Sequence, residues 1–381
     1  MSTLRTLLLF GTRPEAIKMA PVVHECRRRP EAIEPIVAAA GQHRELLEPV
    51  VEYFGLRPDR RLDVMRPGQS LAELTSGSLL AIDALLAELK PDCVVVQGDT
   101  TTVMAASLAA FYRSVPLAHV EAGLRTGNLR APWPEELNRR VVSLSAALHF
   151  APTKRAADAL LAEGAPPDAV HVTGNTVIDA LLWTIERERG RAEHWERKYA
   201  MLGSRRLVLI TGHRRENFGA GLQAICQAIA TLAERFADVE FVYPVHLNPN
   251  VLGPVRQMLS SRPNVHLTEP AAYPEFVWLM QRSTLLLTDS GGVQEEAPSL
   301  RKPVLVTRET TERPEAVEAG AAELVGTSAD AIVSRVSLLL TDAAEYARRQ
   351  VAVNPYGDGQ AAKRIVDVLE TMRGEDDWMG G

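Results

Sequence analysis

Leu285-Leu286-Leu287-Thr288-Asp289-Ser290-Gly291-Gly292-Val293-Gln294-Glu295-Glu296 sets the fold class. A short apolar run, a turn of small residues and the opening of a helix make one step of a parallel α/β sheet, whose strands are covered on both faces. Two adjacent glycines leave the turn uncrowded, and successive amides there can form a nest for a pyrophosphate. Glu296, one turn into the helix, is spaced to reach a ribose diol on the same ligand. Arg313, in Thr310-Thr311-Glu312-Arg313-Pro314-Glu315, is placed to complete the clamp.

The same step recurs in both directions. Strand-length apolar runs near 5–10, 34–39, 92–97, 116–120, 147–151 and 169–172 alternate with helix-period segments. A second series follows near 206–211, 239–245, 264–267, 284–288, 303–306 and 322–325. This is the pattern of α/β domains with parallel sheets, and it predicts two of them. With 381 residues the chain exceeds one core of ordinary size, so two Rossmann-like domains facing a cleft are expected. The boundaries are read as 1–173, 174–358 and a last amphipathic helix within 359–381 that packs back on the first domain. Glu186 to Arg206 is highly charged and reads as an exposed connecting helix.

Composition excludes several classes. Apolar residues make up 46% and charged residues 24%, which suits a globular core rather than disorder. A net charge of −6 offers no electrostatic footprint for nucleic acid, though a local cationic site for a phosphate ester fits. No apolar stretch approaches a membrane span, and Met1 to Phe10 has no long apolar core or cleavage site of an export signal. The cytoplasm is therefore the expected compartment. Cys26, Cys93 and Cys226 are far apart in apolar or helical settings and read as buried thiols, not as metal ligands or disulfides.

In open α/β sheets ligands lie beyond the carboxyl ends of the strands, which directs attention to four more loops and to the helix opening that follows one of them. Gly11-Thr12-Arg13-Pro14-Glu15-Ala16-Ile17-Lys18 pairs a tight turn with two cations, an anion site if the helix-start amides are free; it reads equally as a plain βα turn with solvated cations. Gln97-Gly98-Asp99-Thr100-Thr101-Thr102 puts a carboxylate and three hydroxyls after a strand, with Asp99 as a helix cap the competing reading. His119-Val120-Glu121-Ala122-Gly123-Leu124-Arg125-Thr126 sets Glu121 directly on an apolar strand, a costly place for an unpaired charge. Pro132-Trp133-Pro134-Glu135-Glu136-Leu137-Asn138-Arg139 opens a helix with two acids, which the dipole favours by itself. Gly212-His213-Arg214-Arg215-Glu216-Asn217 is a cationic loop suited to phosphate. The first strand lacks Gly-x-Gly-x-x-Gly, and the imitation Gly219-Ala220-Gly221-Leu222-Gln223-Ala224 does not directly follow its strand, so no dinucleotide cofactor is expected.

Together with Gly174-Asn175-Thr176 and Tyr243-Pro244-Val245-His246, these motifs resemble, from end to end, the non-hydrolysing UDP-N-acetylglucosamine 2-epimerase family of bacteria. The resemblance implies a glycosyltransferase-B-like pair of domains, a homodimer, no cofactor or metal, and reversible conversion of UDP-GlcNAc to UDP-ManNAc. By motif it implies Asp99, Glu121, Glu135 and His213 as catalytic residues. Substrate contacts are implied for Arg13, Lys18, Phe276, Ser290, Gly291, Gly292, Glu296 and Arg313. In members with a second UDP-GlcNAc as activator, Gln42, His43, Arg44 and His246 match parts of that site. The chain departs from the family at Gln97, Gly68 and Ala271, where His, a basic residue and Gln are the expected types. An epimerase of a 3-amino-substituted UDP-GlcNAc, a glycosyltransferase of the same fold, a hydrolysing relative and a non-catalytic UDP-sugar sensor are the alternatives.

Overall fold

The computed structural model describes residues 3–41, 44–66 and 68–372, with the side chains of 44–46 left aside. By its own contacts the chain divides into two units, residues 1–180 with 356–381, and residues 181–355. No helix among the described residues is long and apolar enough to cross a membrane.

The first unit is built on strands β1 (Leu4–Phe10), β2 (Ile33–Ala39), β3 (Arg60–Arg61), β4 (Cys93–Gln97), β5 (Leu117–Val120), β6 (Leu148–Ala151) and β7 (Val170–Val172). Among the described residues they form a seven-stranded parallel sheet in the order β3-β2-β1-β4-β5-β6-β7. The second unit holds β8 (Arg206–Thr211), β9 (Val239–Pro244), β10 (Val265–Thr268), β11 (Leu285–Thr288), β12 (Val304–Val306) and β13 (Ala322–Leu324). Its sheet is six-stranded and parallel, in the order β10-β9-β8-β11-β12-β13. The two parallel α/β domains expected from the sequence are thus present.

Strands buried on both faces explain why the apolar runs were continuous rather than alternating. Leu7, Val94, Val96 and Leu117 are fully or nearly fully buried against Ile82, Val103 and Ala106 in the first unit. Val208, Ile210, Leu285 and Leu287 do the same against Ile225, Ile229 and Val336 in the second. A leucine at such a position truncated to alanine typically costs about 2–5 kcal/mol. The three cysteines are buried and free, and burial pushes each thiol up to about 12.

In each sheet the chain reverses its direction of travel at one place, between β1 and β4 and between β8 and β11. Connections leave to opposite faces there and open a crevice at the carboxyl ends. Four of the loops singled out by sequence follow these strands, at Gly11, Gln97, Gly212 and Asp289.

The segment Glu186 to Arg206 is not one exposed helix. Helix Thr176–Glu188 stops, a short helix Ala192–Lys198 follows, and Trp195, Tyr199 and Leu202 are buried. Trp195 Nε1 donates to Glu188 at 2.9 Å, Tyr199 Oη donates to Glu275 at 2.6 Å, and the Tyr199 ring stacks on Trp278. Three apolar anchors among many charges gave too weak a period to be read. Helix Ala361–Thr371 belongs to the first unit, where Asp367 and Glu370 pair with Arg29.

Candidate active site

In the first unit the site is assembled from the carboxyl ends of β1, β4 and β5. Glu121 follows β5 in a left-handed backbone, φ +63°, a conformation that costs a non-glycine residue about 1–3 kcal/mol and needs surrounding contacts to hold it. Lys18 Nζ bonds both of its oxygens, at 2.6 and 2.8 Å. Gln97 Nε2 donates to Oε2 and Asn175 Nδ2 donates to Oε1, the latter at 3.1 Å. The charge that looked costly on an apolar strand is therefore paired and hydrogen-bonded.

Asp99 follows β4, next to β5 in the sheet. Arg139 Nη2 reaches its carboxylate at 2.5 Å, and Asn138 Nδ2 donates to its main-chain carbonyl at 2.9 Å. Thr100, not Asp99, caps the next helix by accepting the Val103 amide, so the capping role falls to the hydroxyl. Asn138 and Arg139 belong to helix Glu135–Ser145, and their bonds bring its opening turn to the end of β4. The two acids of that turn separate cleanly. Glu136 is fully buried and accepts the amides of Thr126 and Gly127 as well as Arg139. Glu135 is half-buried, and among the described residues nothing is hydrogen-bonded to its carboxylate.

The Gly11 loop differs from the open anion cradle. Glu15 Oε2 accepts the amides of Gly11 at 2.5 Å and Thr12 at 2.9 Å, while Thr12 caps Glu15 in return. This reciprocal capping box occupies donors a phosphate would need, and burial raises the Glu15 carboxyl above its ordinary range despite the amides of Gly11 and Thr12 and a hydrogen bond from Thr100. With Lys18 engaged by Glu121, the exposed Arg13 is the cation of this loop that faces solvent. His119, two residues before Glu121, is held neutral: burial pushes it down to about 3, and its Nε2 meets the Gly98 carbonyl at 2.7 Å.

The second unit has a different character. Thr211 and Thr288 are register partners at the ends of β8 and β11, with hydroxyls 2.5 Å apart. Buried Asp289 accepts the amides of His213 and Arg214, each at 2.9 Å, and its other oxygen lies 3.2 Å from His213 Nδ1. Burial alone would raise its carboxyl; the His213 contacts and the two amides outweigh it and hold it below the usual range. Gly212 has no room for a side chain, since a Cβ would meet Tyr243 Oη at 2.8 Å. The His246 ring lies 6.0 Å from that of His213, nearly parallel.

Gly291 and Gly292 open a short helix whose first amides have no intrahelical acceptor. Arg313 is aimed across them, donating to Glu295 at 2.8 Å and Glu312 at 2.5 Å. Burial would raise Glu312, but Arg313, Arg214 and Arg308 hold it far below the carboxylate range. Tyr273 Oη donates to Glu296 at 2.7 Å, and half-buried Phe276 is on the same helix, Tyr273–Arg282. Gln42 and His43 lie outside the described residues, as does the side chain of Arg44.

A lysine-clamped carboxylate, Glu121, lies in one α/β domain and an arginine across a double glycine in the other, both within motifs that carry the family resemblance. A family model described as UDP-N-acetylglucosamine 2-epimerase matches residues 24–370. The chain belongs to the UDP-N-acetylglucosamine 2-epimerase family. The UDP-N-acetylglucosamine 2-epimerase of Salmonella typhimurium is 51% identical over 374 residues, 97% of this chain and 99% of that protein. The crystal structure of the Neisseria meningitidis UDP-GlcNAc 2-epimerase, bound to UDP-GlcNAc, superposes with a TM-score of 0.93 at 48% identity, covering 97% of this chain and 100% of that one. A Methanocaldococcus jannaschii UDP-GlcNAc 2-epimerase in complex with UDP-GlcNAc and UDP gives a TM-score of 0.82 at 32% identity, covering 97% of this chain and 100% of that one. The family is one of isomerases, and the glycosyltransferase-B-like fold class expected from the motifs holds.

Five residues of this site had no role in the sequence reading. Gln97, Asn175, Arg139, Asp289 and Tyr273 all act on residues that were singled out. Asp289 lies between the apolar strand and the two glycines, and a carboxylate directly after an apolar strand is the signal that finds it.

Proposed function

We propose that the chain interconverts UDP-GlcNAc and UDP-ManNAc by eliminating and re-adding UDP through a 2-acetamidoglucal. The observation that carries this reading is the tie from Asn138 and Arg139 to Asp99. It gathers Asp99, Glu121 and the helix that begins at Glu135 at one end of one sheet, a set of carboxylates that a binding protein or a simple transferase does not need. The ligands named with the Neisseria meningitidis and Methanocaldococcus jannaschii structures support the substrate.

Carbon 2 of an intact sugar nucleotide is a weak acid. As the carbon 1–oxygen bond to UDP loosens, the ring gains positive character and the carbon 2 proton becomes removable by a carboxylate. The base takes that proton, its bonding pair forms the carbon 1–carbon 2 double bond, and the carbon 1–oxygen pair leaves with UDP. In the return, an acid delivers a proton to the opposite face of carbon 2 as the UDP oxygen re-forms its bond to carbon 1. Asp99, Glu121 and Glu135 are the acid–base groups of this scheme. His213, fixed by Asp289, and Arg13 neutralise the departing pyrophosphate, while Ser290, Gly291, Gly292, Glu296, Phe276 and Arg313 hold UDP.

The reading includes a homodimer, a cytoplasmic location and activation by a second UDP-GlcNAc. Support for the dimer comes from Leu80, Phe111, Tyr112 and Leu144, apolar side chains left exposed on neighbouring helices of the first unit. Incubation with UDP-GlcNAc alone, followed by chromatography, tests the reaction: UDP-ManNAc at a fixed equilibrium ratio is expected. Free ManNAc with UDP, or no turnover without an acceptor, would refute it.

A further inference from the structure

The Glu121 carboxylate has its acceptor capacity filled. An ionised carboxylate offers about four lone-pair sites. Lys18 takes one on each oxygen, at 2.6 and 2.8 Å, Gln97 takes a second on Oε2, and Asn175 a second on Oε1 at 3.1 Å. The donors come from helix Arg13–Arg27, from the last residue of β4 and from the turn before helix Thr176–Glu188. Asn175 is itself fixed. Its Oδ1 accepts the Val177 amide at 3.0 Å and its own amide donates to the Tyr356 carbonyl at 2.7 Å. With the carbonyl oxygen committed to Val177, the side-chain NH2 faces Glu121, because a flipped amide would set two donors against each other.

We propose that Asn175 and Gln97 are positioning residues which, with Lys18, keep the Glu121 carboxylate ionised and in one plane for its step at carbon 2. The inference rests on the reading of Glu121 as an acid–base group. Donors to the charged form favour that form, so a proton settles on Glu121 only when one of the donors lets go, and the neutral amides are the weaker holders. Among the described residues His119 on β5 is, with Lys18, a titratable neighbour of Glu121, and burial keeps it neutral. Removing an amide donor therefore leaves the lysine in place and makes Glu121 easier to protonate.

The test is the pH dependence of kcat, with KM, for Asn175→Ser and Gln97→Met. Serine still caps the Val177 amide but is too short to reach Glu121; methionine retains volume and loses the donor. Each variant is expected to lose about tenfold or more in kcat, with KM for UDP-GlcNAc within about twofold. The acid limb of the profile is expected to move up by about half a pH unit or more. A purely structural role would lower the melting temperature without moving that limb. Should the serine variant fail to fold, Asn175→Asp retains the shape and the cap while setting a second carboxylate against Glu121. It should move the limb by about a pH unit or more in the same direction. Wild-type kcat and acid limb in the folded variants, with Glu121→Gln inactive, would overturn the positioning role alone. Wild-type kcat in Glu121→Gln would instead remove the acid–base reading on which it rests.

Discussion

The Arg313 guanidinium occupies the space in which a side chain at residue 291 would stand. A Cβ on Gly291 would come within 2.8 Å of Arg313 Cζ and 2.9 Å of its Nε. The glycine thus leaves room for the guanidinium, by contact rather than by backbone angle, and the arginine is held over the first amides of the helix by Glu295 and Glu312. Gly291→Ala should push the guanidinium away and weaken UDP binding by about tenfold or more, ~1.4 kcal/mol. Calorimetric titration with UDP measures this, and unchanged affinity would separate Arg313 from the nucleotide.

Asp289 makes a parallel case for His213. Asp289→Asn retains the shape and can still accept the two amides through one oxygen, but it removes the negative charge 3.2 Å from His213 Nδ1 and sets a donor against that nitrogen. A lower melting temperature and a fall of about tenfold or more in kcat, with UDP affinity less affected, are the expected outcomes in thermal and kinetic assays.

Two register partners set an acid limit on the first unit. His119 and His149 face each other across β5 and β6, and burial pushes them down to about 3 and about 4 from an ordinary 6.5. The unfolded chain therefore binds protons that the folded one refuses. The stability they contribute is complete above about pH 6.5 and is lost as the pH falls toward 4, at about 1.4 kcal/mol per pH unit for each ring. Asp179, raised to about 6 mainly by burial, acts in the opposite sense, so the comparison must be between variants. The melting temperature of His149→Gln should fall less steeply from pH 6.5 to 4.5 than that of the wild type; equal slopes would contradict the assignment.

Leu144 is 86% exposed on helix Glu135–Ser145. If that face joins two copies, Leu144→Glu should convert a dimer into a monomer in light scattering. A wild-type monomer, or a dimer indifferent to the charge, would reject the proposed interface.

The strands were legible because burial on both faces writes itself as unbroken apolar runs, and each predicted strand lies within about one residue of β1, β2 and β4 to β13. Arg60–Arg61 was not seen, since two exposed charged residues carry no period. At the site, residue types at strand ends were readable one loop at a time. What joins the loops was not. Lys18 and Glu121 are 103 positions apart and Asn175 is 54 beyond Glu121, so the shared clamp exists only after folding. Glu135 and Glu136 look alike in sequence, and burial alone tells the occupied carboxylate from the open one. At the Gly11 loop the spacing of Thr12 and Glu15 is the local signature of a capping box, and it decides for the plain βα turn over the free-amide anion site.

The central claim is a proton lost and regained at carbon 2 while the nucleotide stays with the enzyme. Proton NMR of UDP-GlcNAc incubated with the protein in deuterated water reads it directly. Growth of a UDP-ManNAc anomeric signal, deuterium at carbon 2 of both sugars, and loss of both effects in Asp99→Asn are the expected results. Epimer formation with the carbon 2 proton retained, or no exchange at all, would contradict it.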